Sequence, residues 1–175
     1  MLAHPDFVSG AFNTGFIGQH YAAGFRAEDV PHEDHGFLVA LAAFVRRKSR
    51  ERATGLSGQL PGYGVKVGKD YSVIALDQQG QHSYHSVHAD EFVGESGYAS
   101  VQVAGKAYKF TSSSRLNDVV IRGDVNGAPF VAQVERGSTK NPLALVVQHN
   151  GTRLECMVVS PRMASLHQLM PFKAP

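Results

Sequence analysis

A second cysteine is missing from this chain of 175 residues, in which Cys156 stands alone. No internal disulfide framework is possible, and such sparing use of cysteine fits a reducing compartment. Charge is sparse as well: charged residues make up 18% of the chain and the formal net charge is +2. That is too little for a nucleic-acid binder that works by neutralising many phosphates. No apolar run approaches the length of a bilayer-spanning helix. No basic segment followed by an apolar stretch opens the chain, so no secretory leader is expected. A targeting peptide on a longer parent chain would lie beyond this sequence. What is present is a globular composition, 43% hydrophobic, with length for one ordinary domain and a real core.

The chain divides into four parts. Residues 1–30 are irregular and aromatic, with Phe7, Phe12, Phe16, Ile17 and Tyr21 in HPDFVSGAFNTGFIGQHY. These side chains need cover, either from later segments of the chain or from a body outside this sequence. Residues 31–54 read as the one long helix. Pro31 suits a first turn, and Glu33 and Asp34 place negative charge at the positive end of the dipole. Phe37, Leu38, Leu41, Phe44 and Val45 recur at helical spacing, and Ala40, Ala42 and Ala43 widen the apolar arc. Such a helix wants cover on most sides. Arg46, Arg47, Lys48, Arg50 and Arg52 crowd its last turns, and Gly55 suits its end.

Residues 55–69, GLSGQLPGYGVKVGK, hold five glycines and one proline and read as a long irregular connection. Beyond them the period changes to two. Eight strands are predicted, over 71–76, 81–88, 98–103, 106–111, 118–125, 128–136, 142–149 and 152–159. Asn126-Gly127 and Asn150-Gly151 are the strongest hairpin signals, because both residues tolerate the positive φ of a two-residue turn. Phe130, Ala132 and Val134 share a face, as do Leu143, Leu145 and Val147, and Leu154, Cys156 and Val158. Short links imply an antiparallel meander, and closure removes its exposed edges. The predicted fold class is therefore α+β: an antiparallel eight-stranded β-barrel wrapped around one long central α-helix. Residues 161–170 would add a short closing helix, and PFKAP reads as the start of a linker.

No candidate for chemistry survives inspection. His82, His85 and His88 are spaced three apart, but on a strand His85 faces away from the other two, so three ligands cannot converge. They read as solvent-facing, and no metal site is assigned. GESGYAS around Ser96 resembles a nucleophile elbow but has Tyr98 where the second glycine belongs, in a strand-rich context. The glycines of 55–68 match no phosphate-cradling loop. The basic run from Arg46 to Arg52 lacks interleaved aromatics and reads as a solvated helix end. Cys156, between Leu154 and Val158 on an apolar face, reads as a buried, inert thiol. A barrel without convergent acid, base or metal groups suits binding or docking better than catalysis.

Two stretches add a resemblance. Phe7, Gly10, Thr14, Phe16 and Ile17 match the last segment of biotin carboxylase domains, with Gly18 departing from the usual glutamate. SPRMASLHQLMPFKAP resembles the segment before the biotin carrier domain in propionyl-CoA carboxylase α-subunits, through Ser160, Pro161, Arg162, Leu169, Met170 and Pro171. SGQLPG (Ser57 to Gly62) and Val67-Gly68 are also similar to that family, in collinear order. The resemblance implies three regions. Residues 1–28 would be the end of a biotin carboxylase domain, and 29–170 the BT domain that joins it to the carboxyltransferase. Residues 171–175 would begin the linker to a biotin carrier domain. It also implies a non-catalytic fragment with no cofactor of its own, biotin, ATP and Mg belonging to the parent enzyme. Its partners would be the carboxyltransferase β-subunit and its own biotin carboxylase and carrier domains, without nucleic acid or membrane. Location would be cytoplasmic in a bacterium or the mitochondrial matrix in a eukaryote. The helix-to-strand connection would act as a hook on the β-subunit, placing Leu56, Leu60, Pro61, Tyr63, Val65 and Val67 at the interface. The alternative reading is a free-standing barrel that binds a small apolar ligand.

Overall fold

A computed structural model of the chain describes residues 4–22, 34–76, 81–90, 99–115, 118–137, 141 and 143–170. The chain forms two compact units, Met1–His32 and Glu33–Pro175.

In the first unit, helix α1 spans Pro5–Val8 and α2 spans Phe16–His20. Pro5 sits in the first turn of α1, and the His4 Nδ1 caps it by accepting the Asp6 N–H at 3.3 Å. Phe16 is buried and gathers the other rings: Phe7 at 6.1 Å, Phe12 at 6.0 Å and Tyr21 at 6.1 Å between centroids. Phe7 and Phe12 stack at 4.6 Å. The opening aromatics thus cluster on one another, while Phe12 and Ile17 keep much of their surface exposed.

In the second unit, α3 spans His35–Thr54. It starts later than its predicted beginning at 31, because Asp34 stands outside it as the N-cap. The Asp34 Oδ1 accepts the Gly36 N–H at 3.1 Å. Pro31 and Glu33 lie outside the described residues. From Phe37 to Val45 every residue is buried, so this helix is apolar on all sides, as a helix enclosed by a sheet must be. Burying each of Leu38, Leu41 and Phe44 contributes roughly 1.5–3 kcal/mol. Gly55 ends the helix, its N–H meeting the Ala53 and Arg52 carbonyls.

The wrapping comes next, as β1 (Asp70–Leu76), β2 (His82–Ala89), β3 (Ala99–Val103), β4 (Lys106–Thr111), β5 (Val120–Val125), β6 (Ala128–Arg136), β7 (Ala144–His149) and β8 (Thr152–Val159). They pair antiparallel in sequence order, and β1 pairs with β8 to close the barrel, with Val73 opposite Val158. Asn126-Gly127 and Asn150-Gly151 take positive φ at both positions, as predicted. A third such turn is Ala104-Gly105, where Ala104 has φ of 49°. Alternate residues face inward. Phe130, Ala132 and Val134 join Leu154, Cys156 and Val158 in one core with α3. Leu145 and Val147 do the same, but Leu143 precedes β7 and is exposed, so it does not share their face.

Helix α4 (Pro161–Leu169) lies on the outside, capped by Ser160. Its Ala164 packs with Ile74 and Val159, backed by Tyr84 and Met157. This second layer explains why β1 is buried on both faces from Tyr71 to Ala75.

Candidate docking loop

The barrel interior offers no ligand chamber among the described residues, because the apolar side chains of α3 fill it. A cavity of about 560 Å³ lies elsewhere, as an open groove on the outer surface between β1, β2 and α4, lined by Tyr84, His88 and Gln168 among others. The reading as an apolar-ligand barrel therefore loses the space it requires.

Chemistry is equally unsupported where it was sought. His88 pairs with Asp70 at 2.7 Å and Asp90 at 3.4 Å. The His85 Nε2 bonds the Ser83 hydroxyl at 3.0 Å, and the His82 ring lies 5.0 Å from that of His167. These three histidines are half-buried rather than solvent-facing, each with its own neighbours, and they do not converge. Ser96 and Tyr98 lie outside the described residues. Cys156 is buried, and desolvation pushes its thiol up to about 12, so it stays protonated and inert.

The helix end departs from the solvated reading. Arg47 is 2% exposed. Its Nε and Nη2 donate to the Glu51 Oε1 at 2.9 and 2.6 Å, and Nη1 donates to the carbonyls of Gly68 at 3.0 Å and Ala89 at 2.7 Å. The Lys48 Nζ donates to the carbonyls of Ser112 at 3.1 Å and Ser114 at 2.7 Å. These cations tie the helix to the chain around it. A guanidinium fork satisfies several acceptors at once, which makes its burial tolerable. Arg50 and Arg52 do remain exposed.

One foot of the 55–69 connection is thereby fixed at Gly68 by Arg47. Next to it, the Lys69 carbonyl accepts the Ala89 N–H at 2.8 Å. The other foot is fixed by Gln59, which nothing in the sequence pattern singles out. Its Nε2 lies 3.0–3.1 Å from the carbonyls of Ala53, Thr54 and Leu56, at and just past the helix end, where carbonyls lack the full intrahelical bonding of the interior. Its Oε1 accepts the Val65 N–H at 2.7 Å, closing the loop on itself. Gly64 fits closely beside it: a Cβ there would stand 3.0 Å from that oxygen, so a larger residue would push the Gln59 side chain aside. The tip is a tight turn: the Tyr63 N–H bonds the Leu60 carbonyl at 3.0 Å, and Gly62 follows Pro61 with φ of 84°. Proline then glycine at the centre is the signature of a type II turn.

A braced backbone thus holds apolar side chains in water. Tyr63 is 87% exposed and Leu60 72%, with Leu56, Pro61 and Val65 exposed beside them. Val67 is half-buried. Tyr63 is of the residue type that most often anchors interfaces, and a preorganised loop lowers the cost of seating it and its aliphatic neighbours.

Comparison with known proteins places this architecture. The family model described as the propionyl-coenzyme A carboxylase BT domain matches residues 38–173, which include most of α3, the loop, the whole barrel and α4. Over 175 residues the chain is 30% identical to the propionyl-CoA carboxylase alpha chain of Ruegeria pomeroyi, covering 100% of this chain and 24% of that protein. The chain thus spans about a quarter of the length of this curated relative. With the helix-centred barrel and the family match in agreement, the chain belongs to the propionyl-coenzyme A carboxylase BT domain family.

Proposed function

We propose that this chain is a non-catalytic docking module of a biotin-dependent acyl-CoA carboxylase α-subunit, most like the propionyl-CoA enzyme. Its 55–69 loop seats on the carboxyltransferase β-subunit. The observation that carries this reading is the loop itself: Leu60 and Tyr63 stand in solvent on a backbone held at both feet by Gln59 and Arg47. Packing back on the barrel would have hidden them. A free loop would have needed no such bracing.

The work of such a module is geometric. A two-step carboxylase carries an activated group between separate active sites, and rigid coupling of its subunits fixes the span to be crossed. Effective concentration then replaces catalysis as the module's contribution. Biotin, ATP and Mg belong to other parts of the assembly in this reading. The chain has no Met-Lys-Met sequence to carry biotin, and α3 fills the space inside the barrel that a nucleotide would need. Residues 1–28 would extend the biotin carboxylase domain, and the biotin carrier domain would follow residues 171–175.

The test is a double substitution, Leu60→Ala with Tyr63→Ala, assayed by co-purification and titration against the carboxyltransferase β-subunit. Association should weaken by about tenfold or more, while the circular-dichroism melt stays that of the parent. Undiminished association by a folded double variant would remove the loop from the interface.

A further inference from the structure

The first unit brings together three groups from two separate turns. His4 and Asp6 sit in the opening turn of α1, and His20 ends α2. The Asp6 Oδ2 lies 3.8 Å from the His4 Nδ1 and 3.5 Å from the His20 Nε2, and one donor atom from each residue falls within 4.8 Å of the others. We propose that His4, Asp6 and His20 form a binding site for a divalent transition metal, zinc being the best match.

Two of the three donor pairs are close to the spacing that zinc imposes, and the third stays within 4.8 Å. With metal–ligand bonds near ~2.05 Å, the edge of a coordination tetrahedron is about 3.3 Å. The two pairs that include Asp6 are within about half an ångström of that edge. The chemistry also fits. Two imidazoles and one carboxylate supply borderline nitrogen donors and a single negative charge, a set suited to zinc rather than magnesium or calcium. His20 is exposed and His4 half-buried, so the fourth position opens to water.

The surroundings hold the donors in place. The Phe16 ring meets His4 edge-on at 5.1 Å and His20 at 4.8 Å, while the two imidazoles lie 4.4 Å apart. The one competing contact among the described residues is the cap bond from the Asp6 N–H to the His4 Nδ1, long at 3.3 Å. The metal takes over that lone pair. In exchange it cross-links two helices of four and five residues, each too short to persist without tertiary support. This site is independent of the docking reading, since it lies wholly in the first unit.

The experiment titrates the whole 175-residue chain with zinc sulfate by calorimetry, and with cobalt(II) by visible absorption. One zinc should bind per chain, and cobalt should give the intense d–d bands of a tetrahedral site. His20→Ala, on an exposed side chain, should weaken zinc about tenfold or more, and Asp6→Asn should do likewise. A paired His82→Ala, His88→Ala variant should leave binding unchanged. Stoichiometric binding that survives His20→Ala and Asp6→Asn would overturn the site. So would binding that falls only with the His82 and His88 variant, or no binding at all, which would leave the three groups as a plain ion pair.

Discussion

Arg47 carries more of the structure than any other charged side chain described in the barrel unit. Buried to 2% exposure, it meets Glu51 and two backbone carbonyls from segments 21 and 42 residues away. Removing it strands those acceptors in a dry setting, and an orphaned buried partner costs more than the bond itself contributed. Arg47→Met should therefore destabilise the barrel by about 3 kcal/mol, read as a lower urea midpoint with an unchanged slope. Arg47→Lys should recover only part of this, because an ammonium cannot span the same fork. Its role was not legible in RRKSRER. A basic run at a helix end reads as a solvated dipole complement unless the carbonyls of residues 68 and 89 are known to close over it. The first-unit cluster of His4, Asp6 and His20 was hidden for a related reason, its members lying in two separate turns.

At the scale of elements, local signals were read well where the physics is local. Two Asn-Gly turns, the alternation of β6 and β8 and the apolar run of α3 each depend on neighbours a few residues away. Signals failed where a single side chain decides. The two-residue link at 104–105 falls where the predicted strands left it, but that alanine takes the first positive φ there carries no sequence mark, and Gln59 braces a loop without belonging to any periodic pattern. The start of α3 is a further case, since Asp34 caps rather than joins the helix. Its carboxyl is held below the ordinary value, chiefly by a hydrogen bond from Lys106 and then by one from the Tyr108 hydroxyl at 2.6 Å. A carboxyl lowered in the folded state stabilises fully above its unfolded value near 3.8, and the contribution is lost as pH falls through the folded value. Asp34→Asn keeps a capping oxygen but loses the charge. The variant should show a flatter loss of stability below about pH 4 than the parent, measured by denaturant midpoints between neutral and strongly acid buffer.

For the whole barrel unit, closure matters most. Each strand leans on its sequence neighbour, β8 returns to β1, and α3 touches most of the wall from inside. No part of that arrangement can leave without exposing the helix. The slowest-exchanging amides of α3, β1 and β8 should therefore share one opening free energy, equal to that of global unfolding by denaturant. Hydrogen exchange that released β8 well before α3 would mean the wall opens as a door. The fold was legible because one apolar helix and eight alternating strands leave few other ways to hide their surfaces. The docking role proposed for the 55–69 loop came only from resemblance, since glycine and proline alone say that a segment turns, not what it meets.

The order of elements along the chain has a consequence for how the protein is made. Helix α3 precedes every strand that encloses it. During synthesis it leaves the ribosome with nine consecutive core residues and none of the strands that will enclose them. On the order of 100 residues must be added before β8 can close the wall, a wait of roughly 5–20 seconds at ordinary elongation rates. For that interval the future centre of the barrel is an apolar surface without its wall, the kind of transient exposure that favours aggregation.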